Sequence, residues 1–240
     1  MAKSLKTGAF AQDIYKQSVT QLEELDTIRY GAQGRVYAYA RAGAVALAVA
    51  KMTQSPIPLS TSNRETVAAN AAIGATSLSI TFGTAVTADY YKDGFIYDCV
   101  AGSLYGVKGH AAGTTAVTVY LKEPLRVAWT AASSKATAIQ NRQDLVIVYP
   151  VTGTSSPAGI PPIAVDINYY FWNQVKGPSL VLIDGTVVIG QHVRVSDATA
   201  GAVEALDRDG TAEDECAVGS VLSVDATTEY GLINLAVPGY

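Results

Sequence analysis

Thr76-Ser77-Leu78-Ser79-Ile80-Thr81-Phe82 alternates polar and apolar residues from Ser77 onward. A period of two sends one side of the backbone into a core and the other toward water, which marks a half-buried β-strand rather than a helix. The pattern returns in Thr115-Ala116-Val117-Thr118-Val119-Tyr120-Leu121. Between the two runs, Asp93-Gly94 is a turn signal, and Phe95-Ile96-Tyr97-Asp98-Cys99-Val100 follows as a further strand. Pro124 ends the second run and a new one starts at Leu125. Short strands separated by Gly and Pro signals predict a β-sandwich or barrel.

Upstream, Tyr30-Gly31-Ala32-Gln33-Gly34 is a turn signal, and Arg35-Val36-Tyr37-Ala38-Tyr39-Ala40-Arg41 reads as a half-buried strand with its Arg and Tyr residues on one face. Gly43 then opens an Ala-rich stretch that fits a short helix or a second strand. Residues 1–34 are polar, with Ile14, Leu22 and Leu25 forming only a thin apolar stripe. A short helix over residues 12–25 and an extended arm that orders against a partner both satisfy this pattern.

Downstream, the continuous apolar run Leu145-Val146-Ile147-Val148-Tyr149 predicts a central strand. Residues 151–162, rich in Gly, Ser, Thr and Pro, predict a linker or long loop. Residues 163–172 predict a long strand ending in Tyr169-Tyr170-Phe171-Trp172. Alternation splits these aromatics, with Tyr169 and Phe171 on one face and Tyr170 and Trp172 on the other. Asp184-Gly185 between Leu180-Val181-Leu182-Ile183 and Thr186-Val187-Val188-Ile189 predicts a type I′ hairpin. The fold class that follows is mainly β: β-sandwich or barrel-like modules with an N-terminal arm and little helix. The expected organisation is an arm (1–34), a β-rich domain (35–150), a linker or long loop (151–162) and a C-terminal β-rich module (163–240).

Composition narrows the function. Only 16% of the 240 residues are charged, below the roughly 25% of ordinary soluble chains, so the surface is either rich in small neutral residues or partly engaged by other subunits. The aromatics are mostly Tyr, 14 against 4 Phe and 2 Trp, and Tyr suits contact surfaces as well as cores. A net charge of −4 with no basic run argues against a nucleic-acid footprint. Cys99 and Cys216 are far apart and lack metal-ligand spacing, which predicts buried free thiols in a reducing compartment. The basic start Met1-Ala2-Lys3-Ser4-Leu5-Lys6 lacks an apolar core behind it, so no signal peptide is expected. The most apolar run, residues 42–50, is too short to span a bilayer.

The chain contains no nucleophile elbow, phosphate-binding loop, dinucleotide fingerprint or zinc-spaced histidine pair. His110 is expected in a loop and His192 in a strand, each a surface or hydrogen-bonded histidine rather than a catalytic base. The acidic residues Asp207, Asp209, Glu213, Asp214 and Glu215 include a fragment of a calcium loop without its remaining ligands or flanking helices, and read as a solvated loop. No catalytic residue, cofactor or metal ligand is expected, and the chain reads as a non-enzymatic contact-making protein.

Two blocks carry a resemblance. The first runs from Tyr30-Gly31 through Gly34-Arg35-Val36-Tyr37-Ala38-Tyr39 to Ala42-Gly43-Ala44 and Leu47-Ala48. The second is Tyr170-Phe171-Trp172-Asn173-Gln174-Val175-Lys176-Gly177-Pro178 with Val181, Asp184-Gly185, Val188, Gly190 and Gly201. Together they resemble virion structural proteins of tailed phages, particularly cyanophage-like capsid decoration, or cement, proteins. Residues 61–142 share only the style of such chains. The resemblance implies a homotrimer at three-fold positions on the outer surface of an icosahedral head, made in the host cytoplasm and bridging neighbouring major capsid protein subunits, with no nucleic-acid or membrane partner. Three weak footprints in one rigid unit bind far more tightly than one, and preference for the expanded shell would stabilise that state. The candidate subunit or capsid contacts are Ile14, Tyr15, Tyr30, Arg35, Tyr37, Tyr39, Tyr170 and Trp172. Two other classes remain: a glycan- or receptor-binding module of a virion knob, fibre or tail, with Tyr170 or Trp172 on its wall, and a cell-wall hydrolase built on a histidine or paired carboxylates.

Overall fold

The computed structural model describes residues 9–206, 216–226 and 228–240. The protein is mainly β with little helix. Its helical turns among the described residues are two short 3-10 segments, Ala32–Gly34 and Ser60–Ser62. The chain forms two compact units: Met1–Pro56 together with Arg142–Tyr240, and Ile57–Asn141. This partition differs from the expected linear one, because the strand after the arm pairs with the strand after the expected linker.

In the second unit, β4 (Glu65–Val67), β5 (Ser77–Thr81), β6 (Phe95–Asp98), β7 (Ser103–His110), β8 (Val117–Leu121) and β9 (Lys135–Ile139) close into an antiparallel barrel in the order β4-β5-β8-β7-β6-β9. Period-two alternation decides which side chains fill it. Leu78 and Ile80 of β5 and Val117, Val119 and Leu121 of β8 point inward, and Trp129, Tyr105 and Tyr91 complete the core. Asp93 takes the left-handed conformation the Asp93-Gly94 signal implies (φ 62°). Gly94 is required by close approach, since a Cβ there would collide with the Ile139 carbonyl.

The first unit is built on β12 (Tyr170–Leu182), the longest strand. Its N-terminal half pairs with β2 (Val36–Arg41), and its C-terminal half with β16 (Tyr230–Ala236). With β1 (Ile28–Tyr30), β13 (His192–Val195), β14 (Val203–Ala205) and β15 (Gly219–Val221) they form a seven-stranded sheet in the order β1-β2-β12-β16-β15-β13-β14. One side of the sheet packs on an aliphatic core that includes Val36, Val181, Val193, Val221, Ile233 and Leu235. A small sheet of β3 (Thr53–Gln54), β10 (Ile147–Val148) and β11 (Pro157–Gly159) has β3 at its centre. A buried polar seam joins it to β12: the Asn173 amide donates to Thr53 Oγ1 and to Gln143 Oε1, each at 3.1 Å.

Several local expectations are corrected. The central strand expected at residues 145–149 is the two-residue edge strand β10, because β3 takes the middle position. The expected linker supplies β11, which is fully buried, and Ile160 pairs with Gln174. The Asp184-Gly185 hairpin does not form. The edge of β12 that it would use is already paired with β16, so Ile183 and Asp184 hydrogen-bond instead to the Glu229 and Val203 carbonyls. Thr186–Ile189 is then left outside the sheet, with Val187 buried and Val188 and Ile189 exposed. His110 ends a strand rather than sitting in a loop. Cys99 is half-buried and Cys216 exposed, both as free thiols rather than the buried ones expected.

Candidate interaction surface

The described part of the N-terminal segment, residues 9–27, is neither a helix nor an arm that lacks a partner within the chain. Ser18 bridges Tyr170 through two backbone hydrogen bonds of 2.9 and 2.8 Å. Gln12 is buried, and its amide donates to the Lys16 carbonyl at 2.7 Å and the Tyr170 carbonyl at 3.0 Å. Its side-chain oxygen accepts from the Tyr39 hydroxyl at 2.8 Å, and its backbone carbonyl accepts from Trp172 Nε1 at 3.0 Å. The Phe10 ring stands edge-on to Trp172, and the Arg29 guanidinium lies over both rings.

This clamp determines the fate of the sequence-derived contacts. Tyr37, Tyr39 and Trp172 are essentially fully buried, in a cluster with Leu25 against which Phe10, Ile14 and Tyr170 pack. They are core residues of this chain, and Trp172 forms no wall of an open glycan site. The strand expected to be half-buried is covered on both faces because the segment before it folds back over the tyrosine side. Burial pushes the Tyr39 phenol up to about 12, and moves Tyr37 in the same direction. Tyr15 and Tyr30 are exposed, while Ile14, Arg35 and Tyr170 are intermediate. Tyr15 and Arg35 come together, with the guanidinium donating to the Tyr15 hydroxyl at 3.3 Å.

The Trp172-x-Gln174-x-x-Gly177-Pro178 motif has a structural account. Register shifts between Gln174 and Lys176, so Val175 is an extra residue at a bulge. Gln174 Nε2 reaches forward to the Pro178 carbonyl at 2.8 Å. Gly177 sits at φ 86°, where a Cβ would lie 2.6 Å from the Gly34 carbonyl oxygen. The motif therefore turns β12 from one partner strand to the other.

Beyond the bulge, the exposed side of the sheet departs from the usual rule. A one-sided antiparallel sheet presents polar residues to water. Here Leu180 stands opposite Leu232, Leu182 opposite Tyr230, and Pro178 opposite Asn234. Ser220 is opposite Asn234, and the Leu222 amide continues the ladder by donating to the Leu232 carbonyl. The result is a row of leucines, Leu222 just past β15, Leu232 in β16 and Leu180 in β12. Leu180 is 54% exposed, Tyr230 45% and Leu222 43%. None of the residues on this face from Pro178 to Leu182, Ser220 to Leu222 and Tyr230 to Asn234 is charged. A groove continues from it, lined by Leu180, Leu232, Pro178, Val49, Tyr15 and Arg35 among others.

The sequence reading missed this face. Its signal was present in Leu180-Val181-Leu182, apolar at both parities, and in the alternate positions of Tyr230-Gly231-Leu232-Ile233-Asn234. A strand apolar on both sides is covered on both sides or waiting for a cover.

The remaining chemical candidates have structural partners or open positions. His110 is buried, its Nε2 accepts from the Tyr91 amide at 3.0 Å and its Nδ1 pairs with the Ala111 carbonyl at 2.8 Å, which fixes the neutral Nδ1–H tautomer. His192 is exposed at the start of β13. Arg41 grips the buried Asp144 with two hydrogen bonds of 2.6 and 2.9 Å. Burial opposes the Arg41 charge, and the pairing outweighs it and raises its pKa. Among the described residues no three His, Cys, Asp or Glu side chains are grouped to hold a metal ion. The acidic run from Asp207 to Glu215 lies outside the described residues, and no described helix is long and apolar enough to cross a membrane. No protein-family model, no curated protein and no solved structure matches the chain.

Proposed function

We propose that this chain is a structural virion protein that decorates the outer surface of an icosahedral phage head as a trimer and cements neighbouring major capsid protein subunits. On this reading it performs no chemistry and needs no cofactor. The observation that carries the reading is the exposed leucine row of the seven-stranded sheet, bounded on the same face by Lys176 and His192, with the adjoining Tyr15–Arg35 groove. A soluble chain that exposes such a face has a protein surface to meet. The two sequence blocks that resemble cement proteins supply the kind of partner. They include β2 and much of β12, adjacent strands of the same sheet.

Both sequence blocks hold the arm clamp, through Tyr39 and through Tyr170 and Trp172, and the second also holds the bulge, so apart from Arg35 they are mainly framework for the contact surface. The contact residues of the reading are accordingly Tyr15, Arg35, Leu180, Leu222, Tyr230 and Leu232. The test is co-sedimentation of the full chain with immature and with expanded phage shells. Saturable binding to expanded shells, and none to immature ones, is the outcome expected. Absence of binding to either shell would end the decoration reading.

A further inference from the structure

We infer that the partner segment seated on the leucine row carries carboxylates beside apolar side chains, with a carboxylate received by Arg35 and Lys176. This chemistry rests on the decoration reading for the partner's place in a shell, and says what that partner presents to this surface.

Charge singles out this chemistry. The chain is acidic overall, with a net charge of −4, yet the groups that bound the leucine row and its groove are basic. Lys176 is exposed two residues before Pro178 in β12, and His192 is exposed opposite Ser220. Arg35 lines the groove, and no described Asp or Glu does. Among the described residues neither Arg35 nor Lys176 makes an ion pair, whereas Arg41 is answered by Asp144, and Arg194 by Glu204 and Asp197. The carboxylates past the other end of the row are occupied within the chain. Asp184 accepts from the Ser196 hydroxyl at 2.6 Å, and Glu229 from the Ala226 amide at 3.4 Å. Two unanswered cations beside a row of leucines are complemented by carboxylates flanked by apolar side chains.

The bulge brings the two cations to neighbouring backbone positions. Lys176 pairs with Val36, the residue after Arg35, and a Cβ on Gly177 would lie 2.9 Å from the Arg35 Cα. Arg35 is also pre-positioned: its Nε donates to the Ala32 carbonyl and its Nη1 to the Tyr15 hydroxyl, each at 3.3 Å. A guanidinium carries five N–H donors, so donors remain for a planar carboxylate. Beside it the groove offers Leu180, Leu232, Val49 and Pro178, which call for apolar atoms next to the charge. A phosphate backbone would leave those side chains unmatched. The strands beneath are locked in the core by Val181 and Ile233, so the surface is pre-ordered and binding costs little backbone freedom.

The experiment measures binding of the full chain to expanded shells and to two labelled peptides, a capped Leu-Glu-Leu-Leu-Glu-Leu and its counterpart with Gln for Glu. The chain is used unmodified and as Arg35→Gln, Lys176→Gln, both together, and Lys108→Gln. Lys108 is exposed on the barrel and serves as the control. The unmodified chain and Lys108→Gln are expected to bind shells and to prefer the Glu peptide. Each single change at Arg35 or Lys176 should weaken both by about fivefold, and the pair by about twentyfold, with circular dichroism unchanged. Added salt should weaken the unmodified chain and leave the double variant nearly unaffected. Full shell binding by the double variant overturns the inference and keeps decoration. A Glu preference that the double variant loses, in a chain that binds no shell, keeps the acidic, apolar partner and ends decoration. A chain that prefers neither peptide, that takes phosphatidylglycerol vesicles in place of the Glu peptide, or that associates only with itself would overturn the inference.

Discussion

The barrel and the seven-stranded sheet follow the same strand grammar and end differently. The barrel is continuous in sequence, closes on itself and leaves no edge. Its exposed apolar residues are broken up: Phe95 stands opposite Gly106, over which the Lys122 stem lies, and Arg126 donates to the Leu104 carbonyl. The sheet unit is assembled from both ends of the chain, with β12 joining β2 to β16. One side of it packs on its aliphatic core; the other is covered at the aromatic end by the N-terminal segment and left bare at the leucine end. Closure satisfies a β-structure internally, while an open sheet must find a cover for each face. Here the chain covers one face in full and the second only in part.

The largest contrast comes from removing the tryptophan of each unit. Trp172→Ala should cost about 3–5 kcal/mol in denaturant unfolding, and Trp129→Ala a similar amount. Only Trp172→Ala should expose residues 9–27 to limited proteolysis, because of the two tryptophans it is Trp172 that holds the Gln12 carbonyl and the Phe10 ring. Equal protection of that segment in both variants would remove the clamp from the account.

Glycines separate constraint from convenience within the sheet unit. Gly177→Ala should destabilise by about 1–3 kcal/mol, since it meets both a left-handed backbone and the nearby Gly34 carbonyl. Gly185→Ala shares the positive φ with open space around it and should cost about 1 kcal/mol. Thermal unfolding of the pair checks the order, and an inverted order would contradict the role assigned to the bulge.

Alkaline pH should act most visibly on the aromatic clamp. Burial raises the Tyr39 phenol to about 12, while in the unfolded chain it ionises near its ordinary value of about 10. The unfolded state thus loses its proton first. The contribution of Tyr39 is complete below pH of about 10 and is lost as pH rises toward 12. Tyr39→Phe should flatten this fall in a urea-unfolding series across pH, and an unchanged slope would mean that other groups dominate. The smallest effect belongs to the barrel exterior: Tyr120→Lys should change stability by less than about 0.5 kcal/mol.

Much of the fold was legible because strands announce themselves through alternation. Thr76–Phe82 and Thr115–Leu121 became β5 and β8 with the expected residues inward. Pairing was not legible, because the choice between β2, β16 and a local hairpin for β12 depends on distant segments. That is why Asp184-Gly185, a strong local turn signal, gave way to pairing with Tyr230–Ala236. Of the contact residues chosen from sequence, Tyr15, Tyr30 and Arg35 retain accessible surface, while Tyr37, Tyr39 and Trp172 went under the N-terminal segment. An aromatic at a strand position reads the same whether its cover comes from this chain or another. The leucine face was readable only as apolar residues at both parities of one strand, and became a surface once β16, with β15 beyond it, was known to lie beside that strand.

Cryo-electron microscopy of expanded phage shells mixed with this chain tests the proposed decoration role most directly. The account predicts density for the chain on the outer surface of the head, with Leu180, Leu222 and Leu232 buried against other subunits. Shells without that density, or density with this sheet face open to solvent, would contradict it.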